Sequence, residues 1–181
     1  MTILVIAIVV VSGVAAFSAI FVEYGGGTYF YESIRGVKVE IYGKGIYHHM
    51  PADVAIQGIA QDYVTLFIAI PLLLIALVGY LKDSVKSHFL LGGVMGYFFV
   101  TYWFYTGMGM YNVLFLCYVA LLGLSFFGLF LSARQLERQV KFTFYETTPA
   151  KAVAIFLMVN AVAIAFMWLG VVVPSPLPAW L

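Results

Sequence analysis

Five long apolar runs carry no Lys, Arg, Asp or Glu: residues 3–22, 63–81, 89–110, 113–133 and 152–173. Every charge falls between them, and Asp62 touches the edge of the second. Each run has about the length a helix needs to cross a hydrocarbon core of roughly 30 Å. Such a chain folds as an all-α membrane protein. The expectation is a single membrane domain over residues 1–181, built as a five-transmembrane-helix bundle. Composition agrees: 64% of residues are hydrophobic and 9% charged, against about 25% charged in an ordinary soluble domain.

The charge between the runs gives an orientation. Segments 82–88 and 134–151 fall on one side of a five-span chain and hold six basic residues against three acids. Segment 23–62 holds three basic residues, Arg35, Lys38 and Lys44, against five acids. The positive-inside rule puts the N-terminus in the cytoplasm and the C-terminus outside. Segment 23–62 and the short 109–112 connection are then extracytoplasmic, in the inner membrane of a cell. No Lys or Arg precedes Arg35, so the first run lacks the basic region of a signal peptide and reads as a retained helix.

Within this frame the local signals are specific. The first helix carries Ser12/Ala16 and Ala15/Ala19, the small-xxx-small spacing that lets helices approach closely in lipid. It ends at Gly25-Gly26-Gly27. Val37, Val39 and Ile41 alternate with Lys38, Glu40 and Tyr42, which predicts a short strand. Gly43-Lys44-Gly45 then predicts a turn into a second strand at Ile46-Tyr47. From Pro51 the pattern becomes helical, with Asp53 in the first turn. It predicts an interfacial helix that bends or runs directly into the second span. Pro71 removes a backbone donor from mid-span and predicts a kink. Gly92 and Gly96 make a GxxxG pair in the third span. The third and fourth helices are antiparallel neighbours, because so short a connection allows nothing else. The fourth extends through Arg134 toward Glu146, with a Glu137–Lys141 pair. Thr148-Pro149 caps the fifth, and a proline-rich tail, 174–178, leads to an interfacial Trp180.

Three constellations could carry chemistry. His48, His49 and Asp53 supply two imidazoles and a carboxylate, a donor set for zinc or copper. The plainer reading makes them solvated or headgroup-contacting groups, since adjacent histidines diverge and Pro51 interrupts them. On the third helix, Tyr97, Thr101 and Tyr105 form one stripe, and Phe98, Tyr102 and Tyr105 nearly another. Hydroxyls among flat rings suit a quinone, an isoprenoid or a lipid tail, while an interfacial aromatic belt explains the same residues by packing. Asp62, Tyr63, Asn112 and Glu23 form an outer rim at similar depth. Such groups are costly if buried unpaired, and the plainer reading leaves them wet at the interface.

Absences narrow the classes. A net charge of +1 without a basic patch excludes nucleic-acid binding. No histidine lies mid-span to ligate a b-type haem, and no lysine to hold retinal. The single cysteine, Cys117, cannot form an intrachain disulfide and reads as a small packing residue. No nucleotide-binding, zinc-protease or nucleophile-elbow motif occurs. Ion and proton pathways usually use intramembrane acids or bases, which disfavours a transporter acting alone.

Residues Val39-Glu40-Ile41-Tyr42-Gly43-Lys44-Gly45-Ile46-Tyr47 and Ile59-Ala60-Gln61-Asp62-Tyr63-Val64-Thr65-Leu66 resemble a family of uncharacterised bacterial polytopic membrane proteins. Thr101-Tyr102, Tyr111-Asn112-Val113-Leu114-Phe115-Leu116 and Tyr118-Val119-Ala120-Leu121 look like its later segments, so the resemblance spans about residues 37–130. It brings no activity. It implies that the outer loop, Gln61-Asp62 and Tyr111-Asn112 form one functional face.

The leading expectation is a non-catalytic subunit or scaffold of a membrane complex or homo-oligomer, partnered by lipid and by other chains or copies of itself. The alternative is a protein or enzyme binding a lipid, quinone or isoprenoid at the outer boundary. A metal-handling outer loop is third. Enzymatic activity is left open, with no catalytic residue assigned.

Overall fold

The computed structural model describes residues 1–34, 36–108, 110–139 and 150–172. The chain divides into two compact units, Met1–Lys141 and Phe142–Leu181. In the first, helix α1 (Thr2–Phe21) is followed by strands β1 (Tyr29–Glu32) and β2 (Lys38–Ile41) and a 3-10 turn, Gly45–Tyr47. Helices α2 (Ala52–Val64) and α3 (Ile70–Leu81) then run on through a π turn, Thr65–Ala69. Helices α4 (Val85–Gly107) and α5 (Phe115–Gln139) complete the unit. Among the described residues, four helical stretches are long and apolar enough to cross a membrane: Thr2–Phe21, Ala52–Leu81, Val85–Gly107 and Phe115–Arg138.

The division of faces on α1 shows why oil suits these helices. Its buried face is Val5, Ile8, Ser12, Ala15, Ala16 and Ala19, rich in small residues. Its other face, Ile3, Ile6, Val10, Val14, Phe17 and Phe21, is large, apolar and exposed. A water-soluble helix would carry polar groups there, and an exposed apolar stripe of this length fits a lipid surface. The small residues let α1 approach α2, α3 and α5 closely. Gly128 of α5 has the same use: a Cβ there would press on Met95 of α4 and Leu4 of α1. In the GxxxG pair, Gly92 faces Ser132 of α5, whereas Gly96 has open space where a Cβ would stand. The helices α4 and α5 pack along their length, as the short connection requires.

The sequence predicts a kink at Pro71, and the structure places a π turn just before that residue. Proline cannot donate to the carbonyl of Phe67, and its ring crowds that carbonyl. The helix widens into the π turn immediately before it, where the Ile70 N–H bonds to the Thr65 carbonyl. Helical structure then continues for 30 residues, Ala52–Leu81, about 45 Å at the usual rise. The expected interfacial helix is therefore the first part of the second span. Asp62 lies about 29 Å along it from Leu81, one hydrocarbon thickness away.

The hairpin corrects the expected pairing. The strand at residues 38–41 is present, but its partner is upstream: Tyr29 pairs with Ile41 and Glu32 with Lys38. The connection is closed by Ser33 N–H to Val37 O (2.8 Å), with Gly36 at φ 74. Ile46-Tyr47 is no strand, because Gly43 and Gly45, at φ 68 and 54, curl the chain back on the glycine run after α1. Gly45 N–H bonds to Tyr24 O at 2.7 Å and Gly27 N–H to Gly43 O at 3.3 Å. That crossing carries the following turn inward and delivers Tyr47 to the helices.

The described part of the second unit is α6 (Ala150–Val172). Asn160 satisfies its amide within the helix, on Phe156 O at 2.8 Å. Arg35, Gly109, Lys141, the Thr148-Pro149 cap, Glu146, the 174–178 tail and Trp180 lie outside the described residues.

A Cβ on Gly43 would collide with the backbone carbonyl of Gly27, and none would be met at Gly26. Gly43→Ala is therefore expected to destabilise the protein by about 1–3 kcal/mol, and Gly26→Ala to cost far less. Unfolding of the detergent-solubilised variants, followed by circular dichroism, measures the difference.

Candidate functional site: a buried tyrosine–aspartate knot

One face of α2 carries Gly58, Gln61, Asp62 and Thr65, a polar line at helical spacing. It meets the hydroxyl stripe of α4 rung by rung. Gln61 Nε2 donates to Tyr97 Oη at 2.8 Å and to Thr101 Oγ1 at 3.1 Å. Thr65 Oγ1 shares a 2.9 Å bond with Tyr97 Oη. Tyr105 Oη, at the top of the stripe, lies 3.2 Å from Asp62 Oδ1 and 3.1 Å from Gly58 O. The aromatic stripe of the third span is therefore a polar zipper between two helices. Apolar packing alone does not describe it.

Asp62 is 5% exposed. This corrects the expectation of a wet interfacial group. Its second oxygen accepts the Tyr47 hydroxyl at 2.5 Å. Burying a carboxylate unpaired is expensive, and two phenol donors, one per oxygen, offset that cost. Gly58 makes room for the Tyr47 ring, since a Cβ there would stand 3.1 Å from its Cζ. Burial raises the Tyr47 phenol well above its ordinary pKa, and the Asp62 charge raises it further. Tyr47 thus keeps its proton and remains a donor. Around the knot, Tyr105 meets Tyr118 edge-on at 5.1 Å and Tyr102 at 5.8 Å, while Tyr102 stacks on Tyr118 at 6.1 Å.

The rim residues named from the sequence divide into two places. Asp62, Tyr105 and Tyr102 belong to the knot. Asn112 reaches it at second hand: its Nδ2 lies 3.4 Å from Tyr118 Oη, and its Oδ1 accepts Leu114 N–H at the start of α5. Glu23 and Tyr63 instead line a small cleft of about 190 Å³ together with Lys44 and Tyr47. Gly58, Thr65 and Tyr118 were not among the site residues named from sequence, and Gln61 and the loop that holds Tyr47 entered only with the functional face that the resemblance implied. For Gly58, Gln61 and Thr65 the signal was present as the polar line on α2. Tyr47 gives none, because its partner is 15 residues away across a turn.

The candidate metal residues do not converge on one point. The His48 and His49 rings lie 3.7 Å apart, and His48 Nδ1 bonds to Gly45 O at 2.9 Å. Asp53 Oδ1 accepts Val54 N–H at the start of α2. Among the described residues no group of three or more His, Cys, Asp or Glu is placed to hold a metal ion.

Chemically, Asp62 is a carboxylate with both oxygens engaged and little access. Such a group fixes geometry. It ties the α1–α2 connection (Tyr47), α2 (Asp62) and α4 (Tyr105) at one point. No protein-family model, curated protein or solved structure matches this chain.

Tyr47→Phe is expected to cost about 1–3 kcal/mol by leaving one carboxylate oxygen unpaired. In an Asp62→Asn background it should cost measurably less, because the charge is gone. A double-mutant cycle on unfolding in detergent gives the coupling, and a coupling near zero would show that the two side chains act separately.

Proposed function

We propose that this chain is a non-catalytic subunit or scaffold of a complex in the inner membrane, and that it presents the β1–β2 hairpin to a second protein chain. In this reading α6 is a fifth span, the N-terminus is cytoplasmic and the hairpin is extracytoplasmic. The observation that carries it is the exposure of the hairpin. All four residues of β1, Tyr29–Glu32, are exposed, so neither face covers a core. Phe30 is 72% exposed, Tyr29, Tyr31 and Val37 stand out as well, and Ile34 at the turn is fully exposed. A two-stranded ribbon is marginal in water by itself, and a cluster of exposed aromatic and branched side chains outside the bundle marks an interaction surface. Among the described residues the sheet has two strands, and while Ile41 of β2 bridges to Pro51 on its far side, β1 keeps an edge to which a partner strand can add. The base of this arm is held by the glycine crossing and the Tyr47–Asp62–Tyr105 knot, which gives a partner a fixed platform.

A second reading rests on a groove of about 550 Å³ between the second span and α4, lined by Val64, Ile68, Leu72, Leu90, Gly93 and Tyr97 among others. Its walls are apolar, and the Tyr97 hydroxyl connects it to Gln61 and Thr65. A quinone, isoprenoid or lipid tail would suit it, with a polar head at Tyr97. Extraction of such a molecule with the pure protein, reduced severalfold by Tyr97→Phe, is the outcome expected of this reading.

For the subunit reading, a photo-cross-linking residue at Phe30 in intact membranes should give one discrete protein adduct. The same probe at the exposed, lipid-facing Ile75 should give none. The adduct's mass separates another chain from a second copy. Adducts with lipid alone at position 30 would rule the reading out.

A further inference from the structure

At the far end of the second span from the hairpin, a second polar site stands apart from the knot. The α3–α4 turn is tight: Ser84 N–H bonds to Gly79 O at 3.1 Å, and Asp83 adopts φ 56. The end of α5 lies against it. Between them is a cavity of about 410 Å³ lined by Tyr80, Leu81, Asp83, His88, Gln135 and Arg138.

Two of these side chains carry hydrogen-bond acceptors for which the described residues supply no donor. His88 is 4% exposed, and its Nδ1 lies 2.9 Å from the Ser84 carbonyl. A carbonyl only accepts, so Nδ1 carries the proton and Nε2 is left with a lone pair. The ring is held against Tyr80 at 4.8 Å. Gln135 Nε2 donates to Tyr80 Oη at 2.9 Å. Its Oε1 is buried and has no hydrogen-bond partner, an arrangement that costs free energy until a donor arrives. The same lining offers donors to an anion. Tyr80 accepts from Gln135 and keeps its own proton to give, and Arg138 supplies a guanidinium fork suited to phosphate.

The ligand that fits must bring an anion and N–H donors together. We propose that this cavity binds the phosphoethanolamine head group of a membrane phospholipid, with phosphate on Arg138 and Tyr80 and ammonium on Gln135 Oε1 and His88 Nε2. The cavity lies at the end of the membrane-crossing helices, at headgroup depth. Leu81 and Val85 beside it are 64% and 50% exposed and provide apolar surface for acyl chains. Basic and polar pockets between helix ends are suited to lipid head groups.

Native mass spectrometry of the full chain in mild detergent tests this with three probes: dioleoylphosphatidylethanolamine, dioleoylphosphatidylcholine and water-soluble glycerophosphoethanolamine. The choline head group has the same phosphate but no N–H. Retention of the ethanolamine lipid should exceed that of the choline lipid by about tenfold, the effect of one or two charge-assisted hydrogen bonds. Gln135→Leu should reduce that preference to less than about threefold, while Arg138→Gln and Tyr80→Phe, which remove phosphate donors that serve both lipids, should each lower the retention of both by about threefold or more. Arg138 is exposed at the end of α5, so its substitution leaves the fold intact and tests the phosphate contact even if Gln135→Leu unfolds. Equal retention of the two lipids by the unsubstituted chain, or retention of both that Arg138→Gln leaves unchanged, overturns the proposal. Soluble glycerophosphoethanolamine binding as tightly as the lipid overturns the assignment to a membrane lipid.

Discussion

The Asp62 carboxylate is held by two phenols, one from the connection between α1 and α2 and one from α4. In a bundle surrounded by lipid, apolar contact does not by itself discriminate one helix register from another, since the lipid tails are as apolar as the side chains. A buried acid does discriminate. It requires donors at fixed positions, and every other arrangement leaves it unpaired at several kcal/mol. The knot therefore selects the register in which Gln61 and Thr65 also meet Tyr97 and Thr101. Neighbouring elements follow from that choice. Gly58 stays open for the Tyr47 ring, and Tyr102 and Tyr118 close around Tyr105.

The π turn before Pro71 belongs to the same design. A π turn adds one residue to a helical turn and so shifts the face that follows it. Thr65, buried and bonded to Tyr97, opens that turn, and Ala69 and Leu73 beyond it are buried in the core. The polar line of α2 and the apolar line of α3 can then both face inward along one continuous helix. Proline makes the wide turn favourable, because its missing donor leaves the Phe67 carbonyl without a helical partner.

The two ends of the bundle differ in how completely their polar groups are paired. At the knot, the Asp62 oxygens and the Gln61, Thr65 and Thr101 side chains all have partners. At the α3–α4 turn, Gln135 Oε1 does not. A satisfied network rigidifies what it joins, and this one anchors the aromatic hairpin. An incomplete one invites a ligand, as the headgroup proposal requires. The same chemistry thus supports a structural role at one end and a binding role at the other.

Much of this was legible in the residues. Charge-free runs of membrane-crossing length marked the helices. Ser12, Ala15, Ala16 and Ala19 marked the close face of α1, and alternation marked the strand at 38–41. These depend on local order along the chain, where periodicity and solvent preference act. The hairpin partner was not legible, because Gly43 and Gly45 suit a turn between strands as well as the crossing over Gly25–Gly27 that they make. Nor was the burial of Asp62, since an acid at the end of an apolar run is wet unless something covers it. The cover is Tyr47, which only the folded loop brings within reach. Sequence alone determined the medium and the helices, because transfer of apolar surface from water depends on composition. Tertiary structure alone decided which polar groups pair, because hydrogen bonds depend on positions in space that distant segments share.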